Sequence, residues 1–274
     1  MESPFPAGPI IFSFELLPYI YFNVAFVIIA YPLYRIIGGI FNWELDIKTP
    51  ANLFSDMMAL VRYGFIVFVI GGYARTFNWI MILSFYMALF GFALLAELPF
   101  ARHSLATQNN WPVRMWILFI FAVLAVLLMA GFHIYLIIDQ DESRSKDNIH
   151  IALYLGCLII PVILMTLGYI FKQEQNTRFL TKSYFNVIRI FKRRPQLPSA
   201  NENQQPQLDT EALVQVQPFG KIALIHIHHW QIFYTLAFFT RFDHPVSQIA
   251  GGISLGIYTQ GIGAYGPDNF LEEI

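Results

Sequence analysis

Apolar residues fall along this chain in blocks of about 20, separated by short polar joints. An α-helix rises about 1.5 Å per residue, so about 20 apolar residues reach across a hydrocarbon layer about 30 Å thick. Seven blocks meet that requirement and predict seven spanning helices: Leu16–Tyr34, Met58–Ala74, Asn78–Glu97, Met115–Ile138, Ile151–Phe171, Ile222–Thr240 and Pro245–Tyr265. The blocks do not alternate polar and apolar positions, which excludes barrel strands, and a helix satisfies its backbone polar groups internally in lipid. The expected fold is an all-α polytopic integral membrane bundle. Arg62 interrupts the second block, which leaves open a six-span alternative in which Arg62 ends an interfacial helix.

The charge pattern gives that bundle an orientation. With seven spans, one set of alternating connections carries only Arg75, Arg144, Lys146 and Arg241, Arg62 lies within a span, and all other Lys and Arg fall on the opposite side. The basic side is expected to be cytosolic, putting the N-terminus outside or in a lumen and the C-terminus in the cytosol. The leader Met1–Pro9 contains no basic residue and does not resemble a cleavable signal.

Three regions follow: a five-helix membrane region, 1–171; a polar connection, 172–219; and a two-helix module rich in His and Gly, 220–274. In the connection, Leu180, Tyr184, Val187, Ile188 and Phe191 recur at helical spacing beside Arg189, Lys192, Arg193 and Arg194. This is the pattern of a basic amphipathic helix on the inner membrane surface, facing anionic lipid. The segment Pro195–Pro218, rich in Pro, Gln and Asn, reads as a tether. The acidic loop Asp139–Asn148 lacks the Gly-centred spacing of a calcium loop and reads as solvated.

Composition adds exclusions. The chain is 56% hydrophobic and 13% charged with net charge -1, which gives nucleic acid no electrostatic footprint. A single cysteine, Cys157, rules out an internal disulfide framework.

The sharpest chemical pattern is His226-Ile227-His228-His229-Trp230 at the start of the sixth block. On a regular helix His226 and His229 share a face and His228 points away, so two imidazoles at most meet in one site. Glu97 and Gln260 fall at comparable depth, and His226, His229, Gln260 and Glu97 are the expected polar intramembrane cluster. His133 lies too far along the fourth block to join it. Interhelical hydrogen bonding is the expected role and no cofactor is expected; zinc or iron on His226 and His229 is the alternative. Gly252 and Gly256, four residues apart, allow a neighbouring helix to approach closely. In Arg241-Phe242-Asp243-His244-Pro245, Asp243 is expected to cap the last helix or balance Arg241.

From Ile225 to Leu271, the residues His228-His229-Trp230, Thr240-Arg241, Ser247, Gly252, Gly256 and Gly261-Ile262-Gly263-Ala264-Tyr265-Gly266-Pro267-Asp268 resemble the C-terminal membrane region of eukaryotic, fungal-type LCCL-domain-containing multispan proteins. The disulfide-bonded LCCL domain itself is absent from this one-cysteine chain. The resemblance implies a shared membrane module and draws attention to His228, His229, Trp230, Gly261, Gly266 and Asp268. The expected function is that of a non-enzymatic membrane component that binds lipid or membrane-protein partners, in an endomembrane or the plasma membrane. A membrane-embedded enzyme or transporter with a metal at His226 and His229 is the alternative.

Overall fold

The computed structural model describes residues 13–99, 111–143, 149–183, 222–267 and 270–273. They form seven principal helices: α1 (Leu16–Ile40), α2 (Pro50–Ile70), α3 (Trp79–Ala96), α4 (Val113–Ser143), α5 (Ile149–Thr177), α6 (His229–Ala237) and α7 (Pro245–Ala264). A one-turn helix, Tyr73–Thr76, joins α2 to α3. Two three-residue strands, β1 (Ala223–Ile225) and β2 (Leu271–Glu273), pair antiparallel. Four helices among the described residues are long and apolar enough to cross a membrane: α1, α2, α3 and the Val113–Leu136 part of α4.

The chain divides into two compact units. The first contains the described residues of Met1–Ile159 and His228–Asp268, and the second those of Ile160–Ile227 and Asn269–Ile274. α5 passes from one to the other just before Pro161, a residue that cannot donate to the helical ladder.

In the first unit, α7 is the central element, and nearly all of its residues are buried. Its Gly, Ser, Thr and Gln content makes it the least lipid-like of the long helices here, which fits a helix jacketed by protein rather than by hydrocarbon. α3 runs parallel to it at very close range: a Cβ on Gly252 would stand 2.5 Å from the Met81 carbonyl oxygen, and one on Gly256 2.5 Å from that of Phe85. α1 runs in the same direction, bringing Phe22 against Tyr73 and Phe77 at one end and Tyr34 against Gly263 at the other. α1 contains one wide π-helical stretch, Val24–Ile29, where the Tyr86 hydroxyl of α3 donates to the Ala25 carbonyl at 2.7 Å. There the Phe26 ring stacks on Phe85 at 4.0 Å. α4 joins at the start of α7, through Leu136 beside Phe242 and through His133.

The structure corrects three expectations about element boundaries. The second helix begins at Pro50 rather than Met58, because Thr49 caps it by accepting from the Asn52 N–H at 3.3 Å and Pro50 occupies the first turn. This moves Asp56 inside a helix, in a buried position. The sixth block does not form one continuous helix. Its first residues are extended: Ala223, Leu224 and Ile225 pair with Glu273, Glu272 and Leu271, and the Asn176 amide brackets Ala223 by accepting from its N–H at 2.8 Å and donating to its carbonyl at 2.9 Å. Isoleucines at 222, 225 and 227 favour extended backbone, and hydropathy reports solubility in lipid rather than conformation. What remains helical, α6, has nine residues and rises about 13 Å, under half the hydrocarbon thickness. Finally, α7 is capped not by Asp243 but by His244, whose Nδ1 accepts from the Val246 N–H at 3.2 Å; Asp243 accepts instead from the Gln248 side chain at 2.8 Å.

Candidate functional site

Polar side chains of the first unit gather at the C-terminal end of α7. A helix leaves its last four carbonyls without intrahelical partners. Here each is satisfied. The Gly261 and Ile262 carbonyls accept from the N–H groups of Tyr265 and Gly266, and Gly266 adopts the left-handed conformation (φ 106°) that lets the chain turn back. Lys48 Nζ also donates to the Ile262 carbonyl at 3.3 Å, Arg35 to that of Gly263 at 3.2 Å, and the Asp46 N–H to that of Ala264 at 3.1 Å. Two cations therefore sit at the negative end of the α7 dipole, where charge of that sign is favoured.

Lys48 is anchored from the other side by Asp56, at 2.5 Å, and the same carboxylate oxygen accepts from the Tyr31 hydroxyl at 2.8 Å. Arg35 makes a second bond to the Asp46 carbonyl at 2.9 Å. Tyr31, Tyr34 and Arg35 occupy adjacent turns of α1, so one helix end supplies three of these groups.

A second strand of contacts runs through the buried side of this end. His229 Nε2 lies 2.9 Å from Gln260 Oε1, and Gln260 Nε2 donates to the Tyr34 hydroxyl at 3.0 Å. Because Gln260 Oε1 only accepts, His229 carries its proton on Nε2 in this arrangement. Gly261 makes the approach possible: a Cβ there would stand 2.8 Å from His229 Nε2 and 2.7 Å from Trp230 Cβ. His229 also packs on the rings of Phe92 and Tyr265, at 5.1 and 6.4 Å.

The expected cluster is thus partly rearranged. His229 and Gln260 meet. Glu97 is not bonded to His229; its Oε1 accepts from the Glu44 N–H at 2.6 Å, tying the end of α3 to the loop after α1. His226 belongs to the second unit, where its N–H donates to the Phe270 carbonyl at 3.0 Å and extends the β1–β2 ladder. The helical angle expected between His226 and His229 does not exist, because the backbone before His229 is extended. His228 is the N-cap residue of α6, with its ring 6.5 Å from Tyr265. Among the described residues, no three His, Cys, Asp or Glu side chains gather as a metal-binding group. Arg189, Lys192, Arg193, Arg194 and Asp268 lie outside the described residues.

The sequence reading missed Tyr31, Tyr34 and Asp56 and took Arg35 and Lys48 only as orienting charges. A signal was present in the i, i+3, i+4 spacing of Tyr31, Tyr34 and Arg35. At the opposite end of α7, His133 Nδ1 donates to the Met129 carbonyl at 2.7 Å, which leaves Nε2 to accept from the Ser247 hydroxyl at 3.0 Å. Ser247 accepts in turn from the Phe242 N–H at 3.3 Å, so this hydroxyl ties α4 to the turn before α7. His133 and His229 occupy opposite ends of the bundle.

No family model, no curated protein and no solved structure matches this chain. What the fold and its surface define is a helical membrane protein.

Proposed function

We propose that this chain is a multi-pass integral membrane protein that acts as a non-enzymatic membrane component, binding lipid or a membrane-protein partner rather than transforming a substrate. The observation that carries this reading is α4. Between Val113 and Leu136 only His133 and Leu136 are buried, so this strongly apolar helix presents Ile117, Ile120, Leu124 and Leu128 outward, where hydrocarbon or another membrane helix satisfies them. Exposed Trp79 at the start of α3 and Trp116 at the start of α4 suit opposite headgroup belts. Support for a non-enzymatic role comes from the commitment of His229, Gln260 and Tyr34, and of Lys48, Asp56 and Tyr31, to one another.

In this reading the chain crosses the bilayer seven times with its N-terminus outside or lumenal. The end of α7 faces the cytosol, and Arg189, Lys192, Arg193 and Arg194 rest on anionic lipid. The module from Ile225 to Leu271 is the part shared with the LCCL-domain-containing multispan proteins. The test is topology mapping in sealed vesicles. Protease sites within Pro195–Pro218 should be cut only from the cytosolic side, and acceptor sites for glycans placed before Leu16 should be modified. The opposite pattern overturns the orientation, and release of the protein by alkaline carbonate overturns the membrane assignment.

A further inference from the structure

Between α2, α6 and α7 the first unit packs four aromatic side chains whose polar atoms are incompletely used. Trp230 and Tyr63 stack at 5.9 Å, Tyr234 lies 5.6 Å from Tyr63, and Tyr258 lies 5.2 Å from Tyr234 and 6.2 Å from Trp230. The Tyr234 hydroxyl donates to the Tyr63 carbonyl at 3.2 Å. Among the described residues Trp230 Nε1 and the Tyr258 hydroxyl have no partner, although the two residues are only 6% and 2% exposed. A buried donor left unmade costs as much as a lost hydrogen bond, so two on adjacent rings require an explanation.

We propose that Trp230 and Tyr258 form a binding site for the ester carbonyl of a membrane glycerolipid. This site rests on the membrane assignment above. An indole N–H only donates, and a phenol can donate, so the missing group is an acceptor. The four rings include no cation, so a neutral acceptor such as an ester carbonyl fits better than a carboxylate or phosphate, which would be buried without a counter-charge. Tyr63 and Tyr234 are partly exposed and form the outer wall, flanked by Ile66 and Ile232, which face outward. Trp230 Nε1 and the Tyr258 hydroxyl are covered by the surrounding side chains, so the outer rings of Tyr63 and Tyr234 turn aside as an acyl chain lying against that wall brings its carbonyl to them.

The test compares the protein in nanodiscs of diester phosphatidylcholine with the protein in nanodiscs of the diether analogue, which lacks only the carbonyl oxygens. The wild-type chain should melt about 2–4 °C higher in the diester lipid, the shift that one hydrogen bond gives a protein of this size. Tyr258→Phe, which removes one oxygen atom, should shrink that difference, and Trp230→Phe should abolish it together with the tighter retention of diester lipid seen by mass spectrometry. Equal wild-type melting in the two lipids overturns the proposal without any variant. If Tyr258→Phe lowers melting equally in both, an enclosed water holds the site. If it leaves melting unchanged or raises it in both, nothing occupies the hydroxyl. Either result overturns the lipid site. Failure of the protein to enter either nanodisc overturns the membrane assignment instead.

Discussion

The Lys48 ammonium and the Asp56 carboxylate meet at 2.5 Å with only 6% and 5% of their side-chain surfaces exposed. The pair closes the space between the loop after α1, the first turns of α2 and the end of α7, since Lys48 also reaches the Ile262 carbonyl and Asp56 also receives the Tyr31 hydroxyl. Four segments are thereby held by one ion pair. Burying both charges is costly, and the extra hydrogen bonds make it tolerable by satisfying the remaining donors and acceptors.

Removing one member of the pair should therefore cost far more than removing both. Lys48→Met leaves Asp56 and its hydrogen-bonded Tyr31 without the cation, with an expected loss of about 3–5 kcal/mol. The double change Lys48→Met with Asp56→Leu should recover much of that loss. Reversible unfolding in mixed micelles measures both beside Asp56→Leu alone, and a loss in the double variant equal to the sum of the two single losses would show that the pair is not coupled.

Beyond the apolar block Ile151–Phe171, in the last turns of α5, Glu174 supplies a pH-dependent contact. Its carboxylate accepts from the Thr181 hydroxyl and from the N–H groups of Leu180, at 2.6 Å, and Thr181, at 3.2 Å, capping a helix whose described residues are 179–183. The Thr181 hydroxyl foremost, then those backbone bonds and Arg178, hold its carboxyl below the usual carboxylate range. A lowered folded value means that the stabilisation is present above the ordinary glutamate range and disappears as pH falls through the lowered value. The Leu180 and Thr181 amides should therefore lose hydrogen-exchange protection on acidification, after correction for intrinsic rates. In Glu174→Gln that loss should no longer depend on pH.

How much of this was legible in the chain depended on what each residue needed from its surroundings. α3 and α4 could be read from composition because every face of them tolerates lipid. α7 could be read as a long helix, and the spacing of Gly252 and Gly256 marked a close-packed face. Asp56 could not be read, since an apolar window rejects a carboxylate whose partner, Lys48, lies eight residues earlier in a loop. Tyr34 was equally hidden: its bond to Gln260 joins residues 226 positions apart, and aromatic residues make up 17% of the chain. The sixth block misled because Ile222 to Ile227 is apolar in either conformation, and it is pairing with Leu271–Glu273 that makes its first part extended.

The outward face of α4 makes a prediction about its environment. With Cys157 replaced, single spin labels at Leu124 and Leu128 should collide freely with oxygen and poorly with a water-soluble nickel complex. A label at Leu136, which packs with Phe242, should be shielded from both. Strong nickel access at Leu124 would place that face in water and remove the observation that carries the proposed function.

The contact between α7 and α3 gives the sharpest contrast available within one residue type. At Gly252 an added Cβ would meet the Met81 carbonyl oxygen at 2.5 Å and the Phe85 nitrogen at 2.9 Å, atoms of a backbone that cannot rotate aside, whereas at Gly91 nothing lies within 4 Å. Alanine is the better helix former at both sites by about 1 kcal/mol. At Gly91 that preference is unopposed, so Gly91→Ala should be neutral or stabilising by about 0.5–1 kcal/mol. At Gly252 the helices must separate to admit the methyl group, with an expected net loss of about 1–3 kcal/mol. Adding Gly256→Ala should deepen the loss less than additively, because the first substitution has already moved α3 away from the same face. Unfolding midpoints of the three variants decide the matter: a Gly252→Ala protein as stable as Gly91→Ala would mean that α3 and α7 do not touch through their backbones.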